Sequence, residues 1–283
     1  MPNQPNISAI VINLANSVGR LRFQEAQLSH LNIAFERFAA ISTADVTDAD
    51  YDKWSSDWQR KLRRTEVACF LSHYSVWQTI AQSNKPYLVL EDDAMLSNHL
   101  PAALNAIQHL ATDDFDHISL ETRGRKKLIG NQAIYLTEQL TLQPLYLDKS
   151  GAAAYILTPK GAQTLLNEVD RRGAGLADAI LCHTQALKSL QAVPALAFQM
   201  DMASHFGMQD LVVKDSALSN ISTSKNPKPK DKGLAININY KLKRMNAQLD
   251  RAAKRIKYIK SGSYGFIEIS KEDFSYFSCF LKN

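Results

Sequence analysis

The sequence predicts an α/β protein, and three observations carry the prediction. Residues Ile7 to Leu14 form a nearly continuous apolar run, the kind buried on both faces of a parallel sheet. A short polar segment, Ala15 to Gly19, follows it, and then Leu21, Leu28 and Leu31 recur at helical spacing, so strand, loop and helix succeed one another. A second apolar run, Tyr87 to Leu90, ends directly in Glu91-Asp92-Asp93, and chemistry at the carboxyl end of a strand is the usual arrangement in open α/β sheets.

The elements follow in order. Ala15 to Gly19 reads as a phosphate-site loop, and Ala34 to Ala40 as the next strand. From Thr43 to Arg64 the chain turns polar, with five aspartates among Tyr51, Trp54 and Trp58, and reads as a variable or partly mobile insertion. Glu66 to Ile80 reads as a helix whose apolar members include Val67, Phe70, Leu71, Val76, Trp77 and Ile80, and Asn84-Lys85-Pro86 terminates it. Helices are expected near Pro101 to Leu110 and after Pro159, and strands at His117 to Leu120 and Gly151 to Leu157.

With 283 residues and 45% hydrophobic content the chain can bury a full core, which excludes an all-disordered protein. The catalytic body is expected to span residues 1–215, followed by a Ser-, Pro- and Lys-rich linker at 216–240 and a basic amphipathic, mainly helical appendage at 241–283. Charge divides the same way. Residues 221–260 carry a net +10, which leaves the remainder at −5. A basic appendage on an acidic body points to an anionic partner near the C-terminus rather than to a body coated in nucleic acid.

Cys69, Cys182 and Cys279 are too scattered for a thiolate metal site or a disulfide scaffold, so a reducing compartment is expected. The apolar run at Ile7 lacks the basic lead of a signal peptide. Nowhere does the chain hold the ~18 consecutive apolar residues that a spanning helix needs. No Walker-type loop and no cysteine-histidine cluster appears.

Three adjacent carboxylates at the end of an apolar strand repel one another and resist burial, a problem that a cation solves. Mg²⁺ or Mn²⁺ takes hard oxygen ligands and leaves positions for substrate phosphates. Side-chain alternation makes Glu91 and Asp93 the same-side pair if extended geometry persists. The alternative is that these acids cap a helix starting near Met95.

The run Arg64-Thr65-Glu66-Val67-Ala68-Cys69-Phe70-Leu71-Ser72-His73, followed by Pro86 to Ala94, closely resembles the signature of glycosyltransferase family 25, the lipooligosaccharide-biosynthesis galactosyltransferases. Val11-Ile12-Asn13-Leu14 with Arg20, the strand Gly151 to Leu157, and Gly161-Ala162 extend the resemblance over about residues 7–200. Thr65 stands where the family usually has glycine before the glutamate. The resemblance implies a GT-A-like nucleotide-sugar-binding domain, a UDP-sugar donor, a divalent metal (Mn²⁺ or Mg²⁺) and inversion at the anomeric carbon.

It also implies roles. Glu91 resembles the donor-ribose or metal-network acid, Asp93 the direct metal ligand, and Asp92 either of these. Arg20 fits a diphosphate contact, against a solvated helix arginine, while Leu14 fits nucleotide packing or core packing. His73 faces the nucleotide or a donor hydroxyl, or is a structural histidine; Cys69 reads as a packed core thiol. Asp178, after Gly175-Leu176-Ala177, resembles the family's acidic position and is the first candidate for the general base, with helix capping as its alternative. Glu121 is the second candidate base. His205 is placed with Asp93 and Glu91 as a metal ligand by fold analogy alone, against a structural or surface histidine.

The expected function is thus transfer of a hexose, galactose first, to a lipooligosaccharide or related glycan or glycolipid acceptor. The alternatives are a catalytically silent glycan-binding or assembly module and a transferase using a different nucleotide-hexose. The expected location is the bacterial cytoplasm, with Leu242, Met245, Leu249, Ala252, Ile256 and Ile259 forming a stripe that either meets the anionic inner face of the membrane or packs on the protein. No nucleic-acid partner is expected.

Overall fold

The computed structural model describes residues 7–111, 113–148, 151–211 and 234–282. In chain order the elements are β1 (Ala9–Asn13), α1 (Val18–His30), β2 (Phe35–Ala39), α2 (Asp48–Trp54), α3 (Arg64–Ala81), β3 (Tyr87–Glu91), β4 (Ala94–Leu96) and α4 (Leu100–Ile107). Then come β5 (His117–Ser119), β6 (Lys127–Gly130), β7 (Ile134–Tyr135), β8 (Thr141–Leu147), β9 (Ala154–Leu157), α5 (Pro159–Arg172) and α6 (Ala177–His183). The last are β10 (Ser189–Val193), β11 (Ala197–Gln199), α7 (Leu234–Tyr258) and β12 (Gly262–Gly265), and a 3₁₀ segment, Glu272–Lys282, closes the described chain.

Among the described residues the strands form a ten-stranded mixed sheet in the order β12-β6-β8-β10-β5-β9-β3-β1-β2, with β7 beside β8. Strands β2, β1 and β3 are parallel, and β9 runs antiparallel between β3 and β5. The carboxyl ends of β1, β3 and β5 therefore share one edge, where the site is built.

Both faces of the central strands are buried, as their unbroken apolar sequences require. In β1, Ala9 and Val11 join the cluster under α1 and α4, whereas Ile10 and Ile12 join the cluster under α3 and α5. Strand β3 alternates in the same sense, with Leu88 and Leu90 on one side and Val89 on the other. The fold is α/β with a GT-A-like arrangement.

Four readings of the sequence are corrected. No helix starts near Met95: Ala94, Met95 and Leu96 are fully buried in β4, which pairs with β11 and continues directly from the acidic turn. The polar stretch from Thr43 to Arg64 is folded onto the body. Thr47 caps α2 by accepting from the Asp50 amide, Tyr51 donates to the Leu62 carbonyl at 2.8 Å, and Leu62 is wholly buried. Of the expected linker, 216–233 lie outside the described residues, and from Leu234 onward the chain is already α7.

Residues past α7 are part of the body rather than an appendage. Strand β12 completes the sheet against β6, and Phe274 and Phe277 are fully buried with Met95 and Phe198. Among the described residues, no helix is long and apolar enough to cross a membrane.

Candidate active site

The acidic triplet is held at the end of β3 by residues from four other elements. On β1, Asn13 donates from Nδ2 to Asp92 at 2.8 Å. On α1, Arg20 donates to Asp92 at 2.9 Å and its guanidinium lies 3.6 Å from Asp93. On β11, Gln199 directs its amide nitrogen to Glu91 Oε2 at 2.9 Å and to Asp93 Oδ1 at 3.3 Å. On α3, the buried His73 places Nε2 3.1 Å from Glu91 Oε1 and Nδ1 3.0 Å from the Tyr155 hydroxyl.

That last contact belongs to a chain. The Trp77 indole donates to the Tyr155 hydroxyl at 2.9 Å, and burial raises the Tyr155 phenol well above its ordinary value. The phenolic proton is then directed at His73 Nδ1, which assigns the imidazole proton to Nε2 and aims it at Glu91. Every polar atom from Trp77 to Glu91 is satisfied in this arrangement.

Burial and the charge of Glu91 push the Asp93 carboxyl up to about 7, against the opposing pull of Arg20. Burial also raises Asp92, though Arg20 and Asn13 oppose it. A carboxylate in this position demands either a proton or a cation. Glu91 and Asp93 already share one amide, so they are neighbours, and their hard oxygens suit Mg²⁺ or Mn²⁺. The residues fit the implied ion.

Among the described residues, the trio of ligand-type groups whose donor atoms converge within 4.8 Å is Cys69, His73 and Glu91. Both nitrogens of its His73 are already engaged, by Tyr155 and by Glu91. Burial and the charges of Glu91, Asp178 and Asp93 push the Cys69 thiol well up, the opposite of what a thiolate ligand needs. Cys69 is half-buried and belongs to the lining of the cavity beside the acidic turn, so it is not the packed core thiol that the sequence suggested.

Leu14, Arg20, His73, Glu91, Asp92 and Asp93 all line one cavity of about 620 Å³, to which Ile41, Ser42 and Thr65 also contribute. It lies at the carboxyl ends of β1 and β3, and its volume is in the range of small-molecule sites. The Ile41 amide donates to Ser72 on α3 at 2.9 Å, which pins that part of the lining. At the start of α3, Glu66 accepts from the Arg63 amide at 2.8 Å and takes both Arg60 donors at 2.8 Å, so the helix is anchored by Glu66 with Thr65 in the position before it.

Other expected residues fall elsewhere. Asp178 lies in the first turn of α6, while Leu176 holds the cap position, so Asp178 is not the cap; the helix ends at His183 rather than Leu187. Burial raises its carboxyl, and the charge of Glu91 adds to that rise, which puts Asp178 within electrostatic reach of the acidic turn.

Glu121 is almost wholly buried beneath the start of β9, accepting from the Ala153 amide at 2.5 Å, and its Oε2 has no hydrogen-bond partner. Gly151 is required above it: its φ is +120°, and a Cβ there would lie 2.8 Å from the Glu121 carboxyl carbon. Burial pushes Glu121 up to about 8, so near neutrality it is a protonated acid without access to an acceptor, which argues against its use as a base. His205 is exposed, its ring over Gly124, and it does not converge with Glu91 and Asp93.

Sequence reasoning missed Asn13, Gln199 and the Trp77–Tyr155 pair as site residues. Asn13 carried a signal, a polar residue closing an apolar strand. Gln199 carried none, because it reaches the turn only through the pairing of β11 with β4.

A carboxylate-rich turn at the carboxyl edge of a mixed α/β sheet, opening on a cavity of this size, marks the candidate active site of an enzyme. Residues 6–175 match glycosyltransferase family 25, described as LPS biosynthesis proteins. The chain belongs to glycosyltransferase family 25, and its activity is glycosyl transfer. It is 29% identical over 199 residues to a Haemophilus influenzae protein whose name proposes a glycosyltransferase, covering 67% of this chain and 69% of that protein. It is 32% identical over 107 residues to the lipooligosaccharide biosynthesis protein lic2B of Haemophilus influenzae, covering 37% of this chain and 38% of that protein. A procollagen galactosyltransferase of Xenopus laevis is 30% identical over 112 residues, which is 38% of this chain and 18% of that protein.

Proposed function

We propose that the chain transfers a hexose, galactose as first candidate, from a UDP-sugar to a lipooligosaccharide or related glycan, with inversion at the anomeric carbon. The observation that carries this reading is the pair Glu91 and Asp93, held by the one Gln199 amide on the wall of the large cavity. The names of the lipooligosaccharide and procollagen relatives supply the acceptor class and the galactose.

Glu91 and Asp93 would hold a Mg²⁺ or Mn²⁺ ion, which when bound neutralises charge on the departing diphosphate. Arg20 and Asn13 fix Asp92 and so the turn, and His73 fixes the orientation of Glu91. Asp178 accepts the proton of the acceptor hydroxyl, and its raised carboxyl makes it a stronger base than an exposed aspartate. Leu14 offers an apolar contact to the nucleotide. A cytoplasmic location, where UDP-sugars are made, belongs to the same reading.

The test is a panel of nucleoside-diphosphate sugars offered with a truncated lipooligosaccharide, with product linkage read by NMR. One donor should be preferred, UDP-galactose first, and the new linkage should have the opposite anomeric configuration to the donor. Retained configuration, or glycan binding with no transfer from any donor, would overturn the proposal.

A further inference from the structure

Helix α7 packs in the reverse of the usual amphipathic sense, in which the apolar stripe faces the core. Tyr240 is buried, and Lys243, Ala247, Asp250, Lys254 and Tyr258, recurring at three and four residues, are partly buried against the body. Lys243 donates to the Asp57 carbonyl, and Tyr258 stacks on Tyr146 with ring centroids 3.9 Å apart. Apart from Ala247, polar and aromatic residues thus make the contact with the body.

The apolar residues lie on the opposite face. Ile238, Leu242, Met245, Leu249 and Ile256, with Ile259 just past the helix end, keep between 47 and 75% of their surface exposed. Ala252, also exposed, continues the row. The reading in which this stripe packs on its own body is therefore excluded. Burying it would require turning α7 by about half a revolution about its axis, since residues three and four apart share a face.

Charge says what covers it. Lys241, Arg244 and Arg255 flank the stripe on one side, and Lys257 and Lys260 on the other, all exposed. Asp250 is the one acid between residues 234 and 260, and it lies on the body side. A second copy of the chain would bring two such basic rims together, at a Coulombic cost. An apolar row bordered by cations on both sides matches an interfacial helix lying on anionic lipid.

We propose that the outer face of α7 docks the protein on an anionic lipid surface, the helix lying in the plane of the interface. The inference goes beyond the transfer reaction and does not rest on the acidic turn. Because vesicle binding is read without donor or acceptor, its failure would leave the proposed function standing, and the reverse also holds.

The test is co-sedimentation of the full chain with vesicles of phosphatidylglycerol and phosphatidylcholine, and with phosphatidylcholine alone. The wild type should bind the anionic vesicles and be released by high salt. Joint replacement Leu242→Glu, Leu249→Glu and Ile256→Glu should weaken binding by more than about tenfold. Joint replacement Lys241→Gln, Lys257→Gln and Lys260→Gln should weaken it on the order of a hundredfold at low salt. Both variants should melt as the wild type does, because the altered side chains face solvent.

Wild type left in the supernatant, or the glutamate variant bound as well as wild type, would overturn the proposal. Unfolding of the glutamate variant would return the stripe to the core. A dimer that the glutamate variant converts to monomer, with no vesicle binding by either, would assign the face to self-association instead.

Discussion

His73 and Glu91 meet Nε2 to Oε1 at 3.1 Å, and through His73 the carboxylate is tied to a buried indole two hydrogen bonds further back. The orientation of Glu91 is thus set inside the core, by Trp77 and Tyr155, rather than by solvent. Because Tyr155 touches no cavity-lining acid itself, its effect on catalysis would be that of a positioning residue.

Tyr155→Phe removes the acceptor of the Trp77 N–H and the donor to His73 Nδ1 together. Stability should fall by about 1–3 kcal/mol, the cost of leaving buried polar groups unpaired. Turnover should fall about 10- to 100-fold, the usual range for a lost outer-shell partner. Urea unfolding and steady-state kinetics on the same preparation check both. Full turnover in a folded Tyr155→Phe protein would separate the chain of hydrogen bonds from catalysis.

Asp93→Ala should leave the fold intact, since it removes a carboxylate whose burial is costly, while transfer falls by at least about a hundredfold through loss of a ligand and of electrostatic stabilisation. EDTA treatment of the wild type should reproduce the loss, and added Mn²⁺ or Mg²⁺ should restore it in the wild type only. Isothermal titration with Mn²⁺ provides a reading independent of turnover. Undiminished transfer after exhaustive chelation would remove the ion from the proposal.

Much of this site was legible in the sequence because its parts lie at the ends of apolar runs. The strand ending in Glu91, the loop after β1 and the helix carrying His73 each announce themselves by periodicity, and Leu14, Arg20 and the acids do meet on one cavity. What was not legible is contact made across long separations. The pairing of β4 with β11 brings Gln199 to residues more than a hundred positions earlier, and no local pattern marks it. The same pairing excludes the alternative of a helix near Met95, which the sequence left open because a three-residue strand is too short to show a period. The α7 stripe was legible as a stripe, but only its packing decides which way it faces.

Lys127 is buried and forms an ion pair with Asp148 at 2.8 Å, with further bonds to Gln191 at 2.7 Å and the Glu121 carbonyl at 3.1 Å. Lys127→Met removes the ammonium that faces the buried Asp148 carboxylate, and should destabilise the fold by about 3–5 kcal/mol. The double variant Lys127→Met with Asp148→Leu should recover much of that loss, because removing both charges also removes both desolvation costs. Chemical denaturation of the three proteins measures the coupling. A single variant as stable as wild type would show that the pair is not dry.

Glu121 gives a pH signature with a fixed sign. Its folded carboxyl is raised to about 8 from an ordinary 4.5, chiefly by burial, so the folded state holds a proton that the unfolded chain releases. Its favourable contribution is complete below the unfolded value and is lost as pH rises through the folded one. Wild-type stability should therefore decline between about pH 4.5 and 8 by an amount that Glu121→Gln lacks. The glutamine carbonyl can still accept from the Ala153 amide. Denaturation at a series of pH values measures the difference, and parallel curves for the two proteins would place Glu121 in a wetter site than its burial indicates.

Asp178→Asn tests the base while keeping the volume of the side chain. Asp178 lies in the first turn of α6 with Leu176 at the cap position, and its carboxylate accepts from the Ala179 amide, a bond that the asparagine carbonyl oxygen can keep. The remaining structural contribution is the interaction of its charge with the helix N-terminus, about 0.3–1 kcal/mol, and the burial that raises its carboxyl offsets that gain. The melting temperature should accordingly move little. An amide cannot accept the acceptor's proton, so kcat should fall about 10²- to 10⁴-fold while donor affinity stays near the wild-type value. The pH profile discriminates further: the wild-type rate should rise with pH as the raised carboxyl ionises, and the residual rate of Asp178→Asn should lose that rise. A variant that keeps the acidic limb and normal turnover would move the base to another residue, whereas one that loses stability in step with activity would make Asp178 part of the frame of α6.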